Sequence, residues 1–125
     1  MNPILIIEDN AKNLKLVRDV LQVKGYPTRE ATTATEGLRI AREQRPSLVL
    51  MDIQLPDFDG ITALAKLRED STLRDVPVIA ISASAMPDDQ HRIIASGFDA
   101  YITKPIDIKA FLRTVEDWVS RTART

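Results

Sequence analysis

The chain contains no cysteine. Disulfide staples and thiolate metal sites are therefore excluded, and the composition fits a reducing compartment. No charge of one sign dominates: 17 basic and 18 acidic side chains leave a formal net charge of −1 and are spread along the chain. The basic face or stripe of a nucleic-acid binder is missing, so no nucleic-acid partner is expected. No apolar run approaches the roughly 20 residues a membrane helix needs. Met1 leads almost at once into an apolar stretch, with no room for a signal peptide. Internal repeats, low-complexity stretches and linkers are lacking too. The expectation is one cytoplasmic domain over residues 1–125, with one core, no membrane association and no output domain.

What is present is a strict alternation of two periodicities. Ile4-Leu5-Ile6-Ile7 is a β-branched run and a strand candidate. Asn10 can cap a helix in which Leu14, Val17 and Leu21 recur, and Gly25 stands where that helix should stop. Thr28 to Ala31 is a more polar strand. Thr33 and Glu36 have capping-box spacing for a helix that ends before Pro46. Leu48 to Met51 is a third strand, and Asp59-Gly60 opens a helix with Ile61, Leu64 and Leu67. Val78 to Ile81 is a fourth strand, and a helix from about Asp88 to Ala95 ends at Gly97. Ala100 to Thr103 is a fifth strand; Asp107 then caps a helix with Phe111, Val115, Trp118 and Val119 facing inward or nearly so. The closing Arg121-Thr122-Ala123-Arg124-Thr125 is polar and expected to fray.

Alternating strands and helices predict an α/β fold, a doubly wound parallel sheet of five strands. The first, third and fourth strands are almost wholly apolar and belong in the middle, while the polar second belongs at an edge. Right-handed crossovers then favour the order 2-1-3-4-5, flavodoxin-like, with winding reversing between strands one and three. Sites in such sheets lie beyond the strands' C-terminal ends at that reversal.

The strand ends carry the chemistry. Strand one ends in Glu8-Asp9 and strand three in Asp52. Three carboxylates meeting there repel and raise one another's pKa unless a cation sits among them. Oxygen ligands without His or Cys suit a hard ion, and Mg²⁺ fits the expected carboxylate number. Strand four adds Ser82-Ala83 and strand five Lys104-Pro105. An acid cluster with a hydroxyl and an ammonium suits an incoming phosphoryl group. A carboxylate oxygen is a competent nucleophile at phosphorus and would give an aspartyl phosphate.

Glu8-Asp9, Asp52, Pro56 with Asp59-Gly60, Ser82-Ala83 and Lys104-Pro105, in this order and spacing, resemble the receiver domains of bacterial two-component response regulators. The likeness covers essentially the whole chain. It is closest to single-domain regulators of the DivK kind and to the receivers of hybrid kinases. The resemblance implies that Asp52 is the phosphoacceptor and that Glu8, Asp9, Asp52 and the backbone carbonyl of Gln54 bind Mg²⁺, for which Mn²⁺ can substitute. It implies that Ser82 is the switch hydroxyl, Tyr101 the aromatic switch residue and Lys104 the phosphate-binding lysine, joined to Pro105 by a cis peptide. A sensor histidine kinase or histidine phosphotransfer protein would supply the phosphoryl group. A downstream protein would bind the face around strand five and its flanking helices. The chain would be no enzyme beyond Mg²⁺-dependent self-phosphorylation and slow autodephosphorylation. Ser82 stands where many members carry threonine, and Glu8 where some carry aspartate; both are accepted variants. Gln54, Ser84 and Ala85 occupy positions that vary and would tune the phosphoryl lifetime.

Other readings of the same residues are weaker. A phosphatase of the haloacid-dehalogenase type needs an acid two residues after its nucleophile, where this chain has Gln54. Flavin binding needs hydroxyls and amides after strand one, where this chain has Glu8 and Asp9. A calcium loop at Leu55 to Gly60 fails because Lys66 falls where a bidentate glutamate is required; Asp57 and Asp59 read instead as turn and cap residues. His91, the single histidine, lies mid-helix among polar residues and reads as surface. Trp118 reads as half-buried core, with a docking role as the alternative. A docking module that is never phosphorylated is the remaining functional alternative.

Overall fold

The computed structural model describes residues 2–57, 59–84 and 86–123, and the side chains of all of these but 122 and 123. Strand and helix alternate throughout: β1 (Ile4–Ile7), α1 (Ala11–Val23), β2 (Thr28–Ala31), α2 (Ala34–Glu43), β3 (Leu48–Asp52), α3 (Gly60–Glu69), β4 (Val78–Ser82), α4 (Pro87–Ala95), β5 (Ala100–Thr103) and α5 (Ile108–Ala123). All strand pairs are parallel, and the order across the sheet is β2-β1-β3-β4-β5. The order expected from polarity and handedness is the one observed. Ala85, and residues 124 and 125 of the polar tail, fall outside the described residues.

Side-chain alternation along each strand divides the core in two. Leu5, Ile7, Val49, Met51, Val78 and Ala80 meet α2, α3 and α4 through Leu38, Ile40, Ala63, Leu64, Leu67 and Ile93. Ile4, Ile6, Leu48, Leu50, Ile79 and Ile81 meet α1 and α5 through Val17, Leu21, Phe111 and Val115. Trp118 and Val119 are partly buried against that second layer. Since β1, β3 and β4 are covered on both faces, their continuous apolar runs are what the architecture demands. β2 at the edge keeps only Ala31 fully buried.

The helix starts follow the expected caps. Asn10 accepts from the backbone of Lys12 and Asn13, Asp59 from Thr62, and Asp107 from Ala110. Gly25 (φ 86°) and Gly97 (φ 115°) take the left-handed conformation after α1 and α4. No helix among the described residues is long and apolar enough to cross a membrane.

Candidate functional site

The sheet register brings the acids together. Ile7 pairs with Met51, so the residues that follow, Glu8 and Asp52, leave the sheet side by side. Asp52 pairs with Ile81 and Ser82 with Thr103, which sets Ser82 and Lys104 on the same rim. The Lys104 N–H donates to the Ser82 carbonyl at 2.8 Å and the Ile53 N–H to the Ile81 carbonyl at 3.0 Å, so both rim residues sit on sheet-like hydrogen bonds. The Lys104–Pro105 peptide is cis.

One oxygen each from Glu8, Asp9 and Asp52 lies within 4.8 Å of the others. Asp9 is exposed, whereas Asp52 is 5% and Glu8 1% exposed. Asp52 is held at both oxygens: Oδ1 accepts the Gln54 N–H at 2.9 Å and Oδ2 accepts from Lys104 Nζ at 2.8 Å. Glu8 Oε1 accepts the Asn10 N–H at 3.2 Å. Glu8 Oε2 is buried without a hydrogen bond; Lys104 Nζ lies 3.4 Å away, an ion-pair contact without hydrogen-bond alignment.

The electrostatics follow from that packing. Burial, and then the Asp52 carboxylate beside it, push the Glu8 carboxyl up to about 7 against the opposing pull of the Asn10 N–H and Lys104. Burial alone would lower Lys104, but its bond to Asp52 and the charges of Asp52 and Glu8 outweigh this and raise it. Two like charges about 4 Å apart repel by roughly 4 kcal/mol at an effective dielectric near 20. One ammonium cannot neutralise three carboxylates. An all-oxygen donor set with an orphaned, fully buried carboxylate oxygen therefore fits a hard divalent cation. Gln54 lines the same cleft of about 490 Å³ with Glu8, Asp9, Asp52 and Lys104.

A second cleft of about 350 Å³ opens on the other side of Asp52, between Ser82, Ser84, Asp89 and Arg92. Ser82 Oγ accepts the Ser84 N–H at 3.1 Å, and Ser84 Oγ donates to Asp89 at 2.6 Å. Tyr101 is half-buried on β5, and its hydroxyl donates to Gln90 of α4 at 2.6 Å. The β4–α4 loop and the first turn of α4 are thus tied to the rim by hydroxyls rather than by apolar packing.

Several residues here carried no signal by themselves. Arg92 faces the Asp52–Ser82 cleft and helps hold the Asp59 carboxyl low, after the Thr62 hydrogen bonds. Gly60 permits close approach: a Cβ there would meet Ile53 Cα at 2.8 Å and the Asp52 carbonyl at 3.1 Å. Asp57 does more than turn the chain. Its carboxylate accepts the N–H groups of Ala34 and Thr35, both at 2.9 Å, and the Thr35 hydroxyl at 2.5 Å. With Thr33 Oγ taking the Glu36 N–H, the first three helical N–H groups of α2, those of Ala34, Thr35 and Glu36, all have acceptors. The Thr35 hydroxyl first, and then the backbone donors, hold the Asp57 carboxyl far below its usual range. His91 is exposed, as its surroundings in the sequence suggest.

Comparison with known proteins agrees with this geometry. The chain is 44% identical over 116 residues to the polar-differentiation response regulator DivK of Brucella anthropi, covering 93% of this chain and 94% of that protein. Its fold is similar to the receiver domain of a sensor histidine kinase from Pseudomonas aeruginosa, solved with a magnesium ion coordinated in its active-site cleft (TM-score 0.87, 30% identity, 95% of this chain and 98% of that one). It is also similar to the signal receiver domain of a histidine kinase from Syntrophus aciditrophicus (TM-score 0.90, 30% identity, 100% and 95% covered). Receivers of this type are signalling modules of two-component systems rather than classical enzymes. Residues 4–116 match the response regulator receiver domain, and the chain belongs to that family.

Proposed function

We propose that Asp52 accepts a phosphoryl group from a histidine kinase or a histidine phosphotransfer protein, and that the new charge switches a protein-binding face around β5. The observation that carries this reading is the state of Asp52: it is buried, hydrogen-bonded at both oxygens, paired with Lys104, and packed beside a glutamate whose second oxygen has no hydrogen bond. A carboxylate held in this way is oriented before the donor arrives. In the transfer, an Asp52 oxygen forms its bond to phosphorus as the donor's P–N bond breaks and returns its electron pair to the imidazole. Lys104 Nζ, already against Asp52, neutralises an incoming phosphoryl oxygen. Ser82 can keep accepting the Ser84 N–H while its own proton is donated to the phosphoryl group.

Glu8, Asp9, Asp52 and the backbone carbonyl of Gln54 would hold Mg²⁺, or Mn²⁺ in its place, and the ion would supply charge neutralisation at the phosphoryl oxygens. Movement of Ser82 would draw on the Ser84–Asp89 link, and Tyr101 would leave Gln90 and turn inward. Both changes reach α4. Met86, Ile94 and Ile108, all exposed on the elements flanking β5, give a downstream protein an apolar foothold there. We further read the chain as a cytoplasmic receiver that signals through that protein contact, with self-phosphorylation and slow autodephosphorylation as its only chemistry. Gln54 supplies no general acid, which argues against turnover of external phosphoesters.

Incubation with Mg²⁺ and a small phosphodonor such as acetyl phosphate should add one phosphoryl group, and Asp52→Asn should reduce labelling to background. Labelling that survives the substitution would place the acceptor elsewhere.

A further inference from the structure

The end of the sheet opposite the acid cluster holds a third polar cleft, of about 690 Å³. Four arginines converge on it: Arg45 after α2, Arg68 in the last turn of α3, Arg74 before β4 and Arg121 in the last turn of α5. Basic residues complement the partial negative charge at helix C-termini, which accounts for Arg68 and Arg121. Arg45, directly after the Gln44 C-cap of α2, shares that role; Arg74, in the α3–β4 connection, does not.

Arg68 is committed to structure. Its Nη1 donates to the carbonyls of Arg74 (2.9 Å) and Val76 (2.7 Å), and its Nη2 contacts Asp99 at 3.2 Å. That pairing removes Asp99 from the charge balance and leaves three guanidinium groups facing Asp75. Arg45 uses Nε on the Thr72 carbonyl and Arg74 uses Nε on that of Arg68, at 2.9 and 3.3 Å. Their terminal guanidinium nitrogens have no protein partner among the described residues. Arg121 Cζ lies 4.4 Å from the centroid of the Trp118 ring, which puts a cation over an aromatic face on the same wall.

We propose that this cleft binds a mononucleotide. The phosphate would sit on the terminal nitrogens of Arg45 and Arg74, which present the fork geometry phosphate oxygens accept. The base would stack on the Arg121–Trp118 pair. The volume lies within the usual range for small-ligand sites, about 300–1,000 Å³. An acidic peptide would use the forks and leave the Arg121–Trp118 pair idle. A nucleic acid would need positive charge extending beyond the cleft, on a chain whose net charge is −1.

Trp118 is the chain's single tryptophan, so its fluorescence reports directly on the cleft. The whole protein is titrated with AMP, GMP and inorganic pyrophosphate in chelator, which silences metal-dependent phosphate binding at the acceptor. A mononucleotide should quench saturably, pyrophosphate should bind more weakly, and Asp52→Asn should behave as the parent. Arg45→Gln and Arg74→Gln, both at exposed positions, should each weaken binding by about tenfold or more. Their fold is checked by thermal melting; if one is unstable, the other carries the comparison. No saturable response to either nucleotide overturns the proposal. So does pyrophosphate binding as tightly as the nucleotides, affinity unchanged by the arginine substitutions, or binding lost in Asp52→Asn.

Discussion

The two ends of the sheet hold opposite charge in opposite ways. At the C-terminal end, Glu8 and Asp52 are buried on or just after strand ends, and their backbones belong to the sheet ladder. At the N-terminal end, Arg45, Arg74 and Arg121 are exposed on loops and a helix terminus, and only Arg68 is tied into several backbone carbonyls. The acid end is therefore in tension: like charges are forced together by the same β-structure that forms the core. The basic end is relaxed, because its charges can move apart in water. A rigid, strained cluster suits chemistry on a group that must arrive in one geometry. An exposed one suits reversible capture.

Raising the pH should expose the tension at the acid end most strongly. The Glu8 carboxyl titrates at about 7 in the folded protein against an ordinary 4.5, so between those values the folded state holds a proton the unfolded chain has shed. Its stabilising contribution is complete below about 4.5 and is lost as pH rises through about 7, a fall of order 3 kcal/mol. Urea midpoints in chelator at about pH 5 and pH 7.5 should differ accordingly, and Glu8→Gln should flatten the slope. A parent and variant with the same slope would remove Glu8 from the account.

At the basic end, Arg68→Ala should cost about 2 kcal/mol by leaving the Arg74 and Val76 carbonyls without their charged donor. Thermal melting reads this, and a loss no larger than that of Arg74→Gln would deny Arg68 its structural role. The smallest effect has the opposite sign. In chelator, Asp9→Asn should melt at the parent's temperature or gain up to about 1 kcal/mol, because a like charge has gone. In Mg²⁺ the metal-linked rise in melting temperature should shrink in the variant. A clear drop in chelator would argue against repulsion between Asp9 and its neighbours.

The acid end was legible in the sequence because its residues inherit their positions from the strands. Once Leu48 to Met51 reads as a central strand, Asp52 must stand on the rim, and the same logic places Glu8, Ser82 and Lys104. The strand order followed from polarity and right-handed crossovers together, with the polar Thr28 to Ala31 placed at an edge. Contacts between side chains of different loops were not legible. Tyr101 and Gln90 meet across β5 and α4, and Asp57 meets Thr35 across a whole strand; no local pattern announces either. Asp57 looked like a turn residue because turns favour aspartate, whatever its carboxylate goes on to reach. The arginine cleft was hidden for the same reason, its members being single residues on four separate segments.

Asp57 also makes the β3–α3 loop a strut of fixed length. A surface loop ordinarily tolerates extra residues, at about 0.6 kcal/mol for each doubling. Here four residues, Ile53 to Pro56, separate the rim aspartate from the carboxylate that closes the start of α2. One residue more or fewer would swing Asp57 off Ala34 and Thr35 and leave two backbone donors bare on a helix that lies against β1 and β2. Length variation in this fold should therefore collect at other connections, and this one should read as incompressible even though its tip faces water.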